Sequence, residues 1–202
     1  MRLAARASCR AVPVSSTLEI MPSDANAKLK KRLLEIDEVI SARDAICPAG
    51  VGKPALQRGA AVIKAGTTLL AAVFEAFVEE LFEKSLDLLH PTKPAAVKEL
   101  KKYTSEKNNN ANNHQVNNLF FYVGIPWIMQ STKVRWQKFP NKKVQETLGS
   151  LSTARNKIAH GGSHSVTKNQ LVFWRDFIAR LADRLDVVVA DHIEKQTGAR
   201  PW

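Results

Sequence analysis

The sequence predicts an all-α protein, an antiparallel helical bundle with an irregular basic insertion. Apolar residues recur at spacings of three and four along several long segments, no segment alternates like a strand, and glycine- and proline-rich loops separate the segments. The 202 residues, 45% hydrophobic and 24% charged, suit a single globular domain. We expect the helical domain to span 28–196, with tails at 1–27 and 197–202.

The first half of the chain predicts two long amphipathic helices, over 28–46 and 55–89. The second is the longest and most apolar stretch, which is typical of the central helix of a bundle. His90-Pro91 ends it, because a proline disfavours helical geometry in the residue before it. The expected core residues are Leu29, Leu33, Ile36 and Ile40, then Leu56, Ala60, Ile63, Thr67, Leu70, Phe74, Phe77 and Leu81.

The middle of the chain predicts shorter elements. A basic helix is expected over 93–103 and another short helix over 116–123. Seven asparagines lie between Asn108 and Asn118, and because asparagine competes for backbone hydrogen bonds, this segment is predicted to be an exposed loop. The aromatic residues that follow are expected to form a lid or an edge of the core: Trp127, Trp136 and Phe139.

The last two helices are predicted over 143–160 and 167–196, with Gly161-Gly162 as a strong stop signal between them. The expected core residues are Val144, Leu148, Leu151 and Ile158, then Leu171, Trp174, Ile178, Leu181, Leu185 and Val188.

The charge of the chain is concentrated in its middle. The formal net charge is +11, and residues 91–145 hold ten lysines and arginines against two glutamates. Such a patch attracts polyanions, which favours RNA as a partner; the alternative is a solubilising surface. Two cysteines, Cys9 and Cys47, lack metal-type spacing and indicate a reducing compartment, so a cytoplasmic protein is expected.

Targeting and membrane segments are not expected. No run of eighteen apolar residues exists, so no transmembrane helix and no membrane partner are predicted. Residues 1–20 carry Arg2, Arg6 and Arg10 but no apolar central region, which argues against a secretory signal. We expect a disordered tail, or a true start at Met21, in preference to a targeting peptide.

Residues 155–162 carry the candidate functional site. Arg155, Asn156 and His160 place a permanent cation, an amide and a titratable imidazole within six positions. Arginine binds phosphate through a planar fork, and histidine transfers protons near neutral pH. In a strongly basic chain, this combination indicates phosphodiester chemistry, with RNA as the expected substrate.

Helical geometry constrains how these residues act together. Asn156 and His160 are four positions apart and share a face, so the amide can hydrogen-bond the imidazole and orient it. Arg155 and His160 lie about 140° apart around an ideal helix. Either the helix unwinds at Gly161, or a second copy of the chain completes the site; we favour a two-fold dimer.

The motif resembles the Arg-polar-x-x-x-His motif of the HEPN superfamily (higher eukaryote and prokaryote nucleotide-binding domains). Its setting is similar as well: it ends a helix that lies between a long apolar helix and a final long helix. Further pieces, covering with it about 29–193, resemble the RiboL-PSP-HEPN subgroup: Arg58-Gly59-Ala60-Ala61 leading to 74–81, Val116-Asn117-Asn118-Leu119-Phe120 leading to Gly124, and 151–161.

The resemblance implies a helical bundle that forms a dimer. In many members it also implies a metal-independent endoribonuclease activity, often in toxin–antitoxin or phage-defence systems. An antitoxin protein is then a further expected partner. The ribose 2′-OH would attack the adjacent phosphate and leave a 2′,3′-cyclic phosphate. His160 would be the general acid or base, Arg155 would neutralise the developing charge, and Asn156 would orient either His160 or the phosphate.

Two further residues are predicted to support the site. Glu75 lies on the apolar central helix, where an unpaired carboxylate is costly, so a pair with Arg155 or Arg58 is expected; the alternative is a solvent-facing rim position. Lys157 is expected to be a solvated neighbour that can also contact phosphate.

No metal or cofactor is expected. His164 follows His160 by four positions, but two glycines between them break the helical spacing that a metal pair needs. Two other function classes remain open from the sequence: a non-catalytic HEPN module that binds RNA, a nucleotide or a partner protein, and a purely structural helical adaptor.

Overall fold

The computed structural model describes residues 21–107, 110–162 and 164–202, so the predictions made for 1–20 lie outside the described residues. Within these ranges the chain has no strand, only an isolated bridge between Trp136 and Phe139. The helices are α1 (Asp24–Ile46), α2 (Lys53–Leu89), α3 (Pro94–Lys107), α4 (Asn113–Phe121), α5 (Asn141–Ala159) and α6 (Lys168–Thr197), with a 3₁₀ turn at Ile128–Gln130. The all-α prediction is confirmed.

Helix α2 is the centre of the bundle. It packs most extensively against α1, then against α6 and α5, and more lightly against α3 and α4. The predicted core of α6 is buried throughout, as are Leu29, Leu33 and Ile36 in α1. By length and composition alone, α2 is long and apolar enough to cross a membrane. However, half of its most apolar 18-residue stretch is buried within the structure, as in the core helix of a helical domain.

The predicted core face of α2 is wrong in its first turns. Leu56 is 52% exposed and Ala60 is also exposed, whereas Gly59 and Ile63 are buried. A Cβ at Gly59 would clash with the Cys47 Sγ, so the end of α1 approaches the backbone of α2 here. The face of α2 that packs against α1 is therefore the one that carries Gly59, because a residue without a side chain permits this close approach.

From Asn110 onwards, where the structure describes it, the asparagine-rich segment is not the exposed loop that its composition predicts. Asn112 is the N-cap of α4 and its side chain accepts the Gln115 N–H, so helix begins within the segment. Asn117 is buried, and its Oδ1 accepts the Met129 N–H at 3.0 Å. Asparagine here caps a helix and accepts hydrogen bonds from backbone N–H groups. Composition alone does not distinguish these roles from those of asparagine in a loop.

The aromatic residues beside α5 divide into two groups. Trp136 and Phe139 stack with ring centroids 4.8 Å apart, and both rings pack against Phe177 of α6, so they form the expected edge of the core. Trp127 is 63% exposed and adopts a left-handed φ of 56°, so it is not part of the core edge.

Both predicted domain boundaries need correction. Ser23 caps α1 by accepting the Asn26 N–H, and its own N–H donates to the Asp186 Oδ2 at 3.0 Å. The domain therefore includes residues before 28. At the other end, Trp202 packs against the core and Arg200 pairs with Asp191, so 197–202 is not a free tail.

Two glycines make a matched stability test. A Cβ at Gly66 would lie 2.7 Å from the Val39 Cγ1 and 2.9 Å from the Leu171 Cδ2, whereas one at Gly149 would meet nothing within 4 Å. Overpacking costs about 1–3 kcal/mol, and alanine gains about 1 kcal/mol over glycine in a helix. We expect Gly66→Ala to lower the urea midpoint and Gly149→Ala to raise it. Shifts of the same sign would contradict this packing.

Candidate functional site

The end of α5 has the geometry that its two glycines predict. Helix α5 ends at Ala159 and His160 is its C-cap residue. Gly161 has a φ of +73°, its N–H donates to the Ile158 carbonyl, and the Gly162 N–H donates to the Lys157 carbonyl at 2.8 Å. This is a Schellman motif, which only a residue that tolerates a left-handed backbone closes at low cost.

The helix does not unwind before His160. The His160 N–H still donates to the Asn156 carbonyl at 3.0 Å, so the helical hydrogen bonding continues up to this residue. Arg155 and His160 therefore leave the helix in directions about 140° apart. The helix leaves its regular path at Gly161, one residue after His160.

The two residues also differ in exposure. The His160 and Lys157 side chains are exposed, whereas the Arg155 side chain is only 27% exposed. His160 is thus freely accessible at a helix terminus, and Arg155 is held against the bundle.

Glu75 is the acidic partner of Arg155. The Arg155 Nη2 lies 3.8 Å from the Glu75 Oε2, and the Glu75 side chain is 19% exposed. Burial raises the pKa of Glu75, while the nearby Arg155 charge opposes that rise. Of the two partners that the sequence left open for Glu75, the structure gives Arg155, while Arg58 is exposed in the first turns of α2.

Asn156 contacts Arg155, not the imidazole. Its Oδ1 accepts from the Arg155 Nη1 at 3.1 Å and from the Asn110 Nδ2 at 3.0 Å. Among the residues that the structure describes, no hydrogen bond joins the Asn156 amide to the His160 ring. The structure therefore joins the Asn156 side chain to Arg155 and Asn110, and not to the His160 ring as expected from the helical spacing.

Two residues of this network were missed by the sequence analysis. The Asn110 Oδ1 accepts from the Ser152 Oγ at 3.0 Å, so Asn110 bridges Ser152 and Asn156. Ser152 is four positions before Asn156 and shares its face of α5, a signal that the sequence does carry. Asn110 lies 46 positions from Asn156, and no local pattern could have found it.

Metal ligands do not cluster in the described parts of the chain. There, no group of three or more histidine, cysteine, aspartate or glutamate side chains is close enough together to hold an ion. His164 follows the Schellman turn and lies outside regular helix.

Comparison with known families agrees with the all-α fold. The family model for RiboL-PSP-HEPN matches residues 26–191. The chain belongs to the RiboL-PSP-HEPN family. This confirms the resemblance drawn from the sequence, and membership points to a ribonuclease or a nucleotide-binding module. Neither the curated proteins nor the solved structures gave a match to this HEPN chain.

The dependence of stability on pH tests the burial of Glu75 and of the neighbouring Glu79. Burial raises the pKa of Glu79, and the neighbouring Glu75 and Glu83 charges raise it further. The fold therefore binds protons at Glu75 and Glu79 more tightly than the unfolded chain does. Its free energy of unfolding should fall as the pH rises above the ordinary glutamate value of 4.5.

Glu79→Gln should weaken that pH dependence, because it removes one titrating group and its repulsion of Glu75. Urea unfolding at pH 5 and pH 7 measures the effect, with the exposed Glu99→Gln on α3 as the control. An unchanged pH dependence in Glu79→Gln would show that these carboxylates are solvated.

Proposed function

We propose that this protein is a metal-independent endoribonuclease of the HEPN type, acting in the cytoplasm. The reaction is attack by a ribose 2′-OH on the adjacent phosphate, which forms a 2′,3′-cyclic phosphate and releases a 5′-OH. Dependence on the 2′-OH selects RNA over DNA. The observation that carries the proposal is an accessible imidazole at the end of the same helix that holds a positioned guanidinium.

His160 is the proton-transfer group in this mechanism. Its imidazole is exposed at the helix C-cap, where a substrate hydroxyl or leaving oxygen can reach it. An imidazole can take a proton from the 2′-OH or give one to the 5′-oxygen at neutral pH. General acid–base catalysis of this kind contributes about 10²–10⁴ in rate.

Arg155 is the electrostatic group. Its planar guanidinium can donate two hydrogen bonds to the phosphorane oxygens, which gain negative charge as the 2′-oxygen attacks. Glu75 and Asn156 fix its orientation before substrate arrives, and a donor that is already oriented loses little free energy on reorganisation. Lys157, exposed one turn from His160, supplies a second positive charge towards the RNA backbone.

A second copy of the chain completes this site. In one protomer the regular end of α5 directs Arg155 and His160 apart. A two-fold axis near this helix end brings the same surface of both chains together, so His160 of one protomer and Arg155 of its partner can face a single phosphate. A nuclease of this kind needs restraint in the cell, which makes an antitoxin protein a further proposed partner.

A non-catalytic role is the second candidate, and one observation favours it. Among the described residues, nothing hydrogen-bonds the His160 ring to hold it in one tautomer, whereas proton-transfer histidines are commonly oriented by a partner. In this reading the module binds RNA, a nucleotide or a partner protein without cutting.

Cleavage of end-labelled RNA in EDTA decides between the candidates. We expect the protein to cut RNA and leave 2′,3′-cyclic phosphate ends. His160→Ala should lower the cleavage rate about 10²–10⁴-fold. Arg155→Lys keeps the positive charge but loses the planar pair of N–H donors, and it should lower the rate about 10²–10³-fold. His164→Ala is the matched control and should cut normally.

Circular dichroism checks that each variant folds, since Arg155→Lys alters a half-buried contact. Salt-sensitive RNA binding that survives His160→Ala, with no cleavage by the wild-type protein, would replace the nuclease with the binding module. Full cleavage by both motif variants would refute the assigned roles.

A further inference from the structure

A second basic site lies at the opposite end of α5 from His160. It is an open pocket of about 760 Å³ lined by Trp136, Lys138, Arg180 and Arg184. Trp136 and Lys138 come just before the first residue of α5, whereas His160 follows its last. Because α5 has 19 residues, its two ends are about 28 Å apart.

The positive charge of this pocket is not neutralised by its neighbours. In the described ranges, Lys138, Arg180 and Arg184 have no carboxylate oxygen within 4.0 Å of their charged nitrogens. The one acid that lines the pocket, Asp183, is already matched: its Oδ1 lies 2.8 Å from the Lys30 Nζ. Three cations on one concave surface fit a polyanion.

Lys138 occupies a backbone position that suits glycine better than lysine. Trp136 to Phe139 form a tight turn, closed by the Phe139 N–H on the Trp136 carbonyl at 2.8 Å. Lys138 is its third residue and has a φ of +67°, where a side chain is unfavourable. Residues with such backbone strain cluster at functional sites, and Lys138 lines the pocket.

Trp136 gives the pocket an aromatic wall. Its ring stacks on Phe139 and packs against Phe177, so it is held in place from behind, and it remains only half-buried. A fixed aromatic surface beside cations is the combination with which proteins bind single-stranded nucleic acid, because bases stack while the phosphates meet the charges.

We propose that this pocket binds single-stranded RNA several nucleotides away from the scissile linkage. The identity of the ligand rests on the proposed function. At about 3.4 Å per stacked nucleotide, the length of α5 corresponds to roughly eight nucleotides. A dinucleotide at the motif is too short to reach the pocket of the same protomer, so the pocket favours longer RNA.

The test uses His160→Ala protein, so that the RNA survives, and fluorescence anisotropy with a labelled 20-nucleotide RNA. Adding Lys138→Gly, Arg180→Gln and Arg184→Gln should weaken binding roughly 10–100-fold at low salt. The salt dependence of log K should become shallower by about 2, since each phosphate contact contributes about 0.7. Lys195→Gln, an exposed change on α6 outside the pocket, should alter affinity less than about twofold.

Lys138→Gly alone separates binding from folding. It should lower RNA affinity and yet unfold at an equal or higher urea concentration, because glycine relieves the left-handed strain. A loss of affinity that accompanied a loss of stability would assign Lys138 to the fold and overturn its role in the pocket.

Substrate length distinguishes the pocket from the nuclease proposal. With His160 intact, the three pocket substitutions should lower kcat/KM for the 20-nucleotide RNA and leave that for a dinucleotide unchanged. If the protein cleaves RNA but the three substitutions leave its affinity for long RNA unaltered, the proposed role of the pocket is refuted and the nuclease proposal stands. RNA binding that the substitutions abolish, without cleavage by any protein, would support the pocket and refute the nuclease.

Discussion

The burial of α2 is the constraint on which the rest of the structure depends. Its 37 residues make a helix about 55 Å long whose apolar face has to be covered by α1, α5 and α6. Glu75 lies in the seam between α2 and α5, where loss of water raises its pKa and the Arg155 guanidinium offsets part of that cost. The helix pairing that closes the core is therefore also what brings Arg155 to its acidic partner.

This arrangement gives the two ends of the motif different physical character. Arg155 is anchored by Glu75 and Asn156, while His160 stands exposed beyond the last turn of α5. For the proposed chemistry these are suitable properties, because a charge stabilises a transition state best when it is fixed beforehand, whereas a proton-transfer group has to be reached by substrate. The sharp turn at Gly161 keeps the following chain from continuing along the helix axis over His160.

The sequence predicted most of the fold because most of its signals are local. Periodicity located all six of the described helices, and Gly161-Gly162 located the end of α5 to within one residue. What it could not predict depends on contacts between distant segments. Asn110 joins the site from 46 positions away, and Ser23 closes the start of α1 on Asp186 across 163 positions. No helical pattern encodes such pairings, and a run of asparagines looks the same whether it caps a helix or forms a loop.

The two ends of the described chain meet at one place. Met21 to Ala25 and Pro201-Trp202 line the same pocket, beside Lys28 and Glu80. A short linker can join two segments that lie side by side, and the chain can then be opened elsewhere, since the helices keep their neighbours whatever their order along the polypeptide. A circular permutant of residues 21–202 that is opened between α2 and α3 would leave α5 uncut and its contact with the central helix in place.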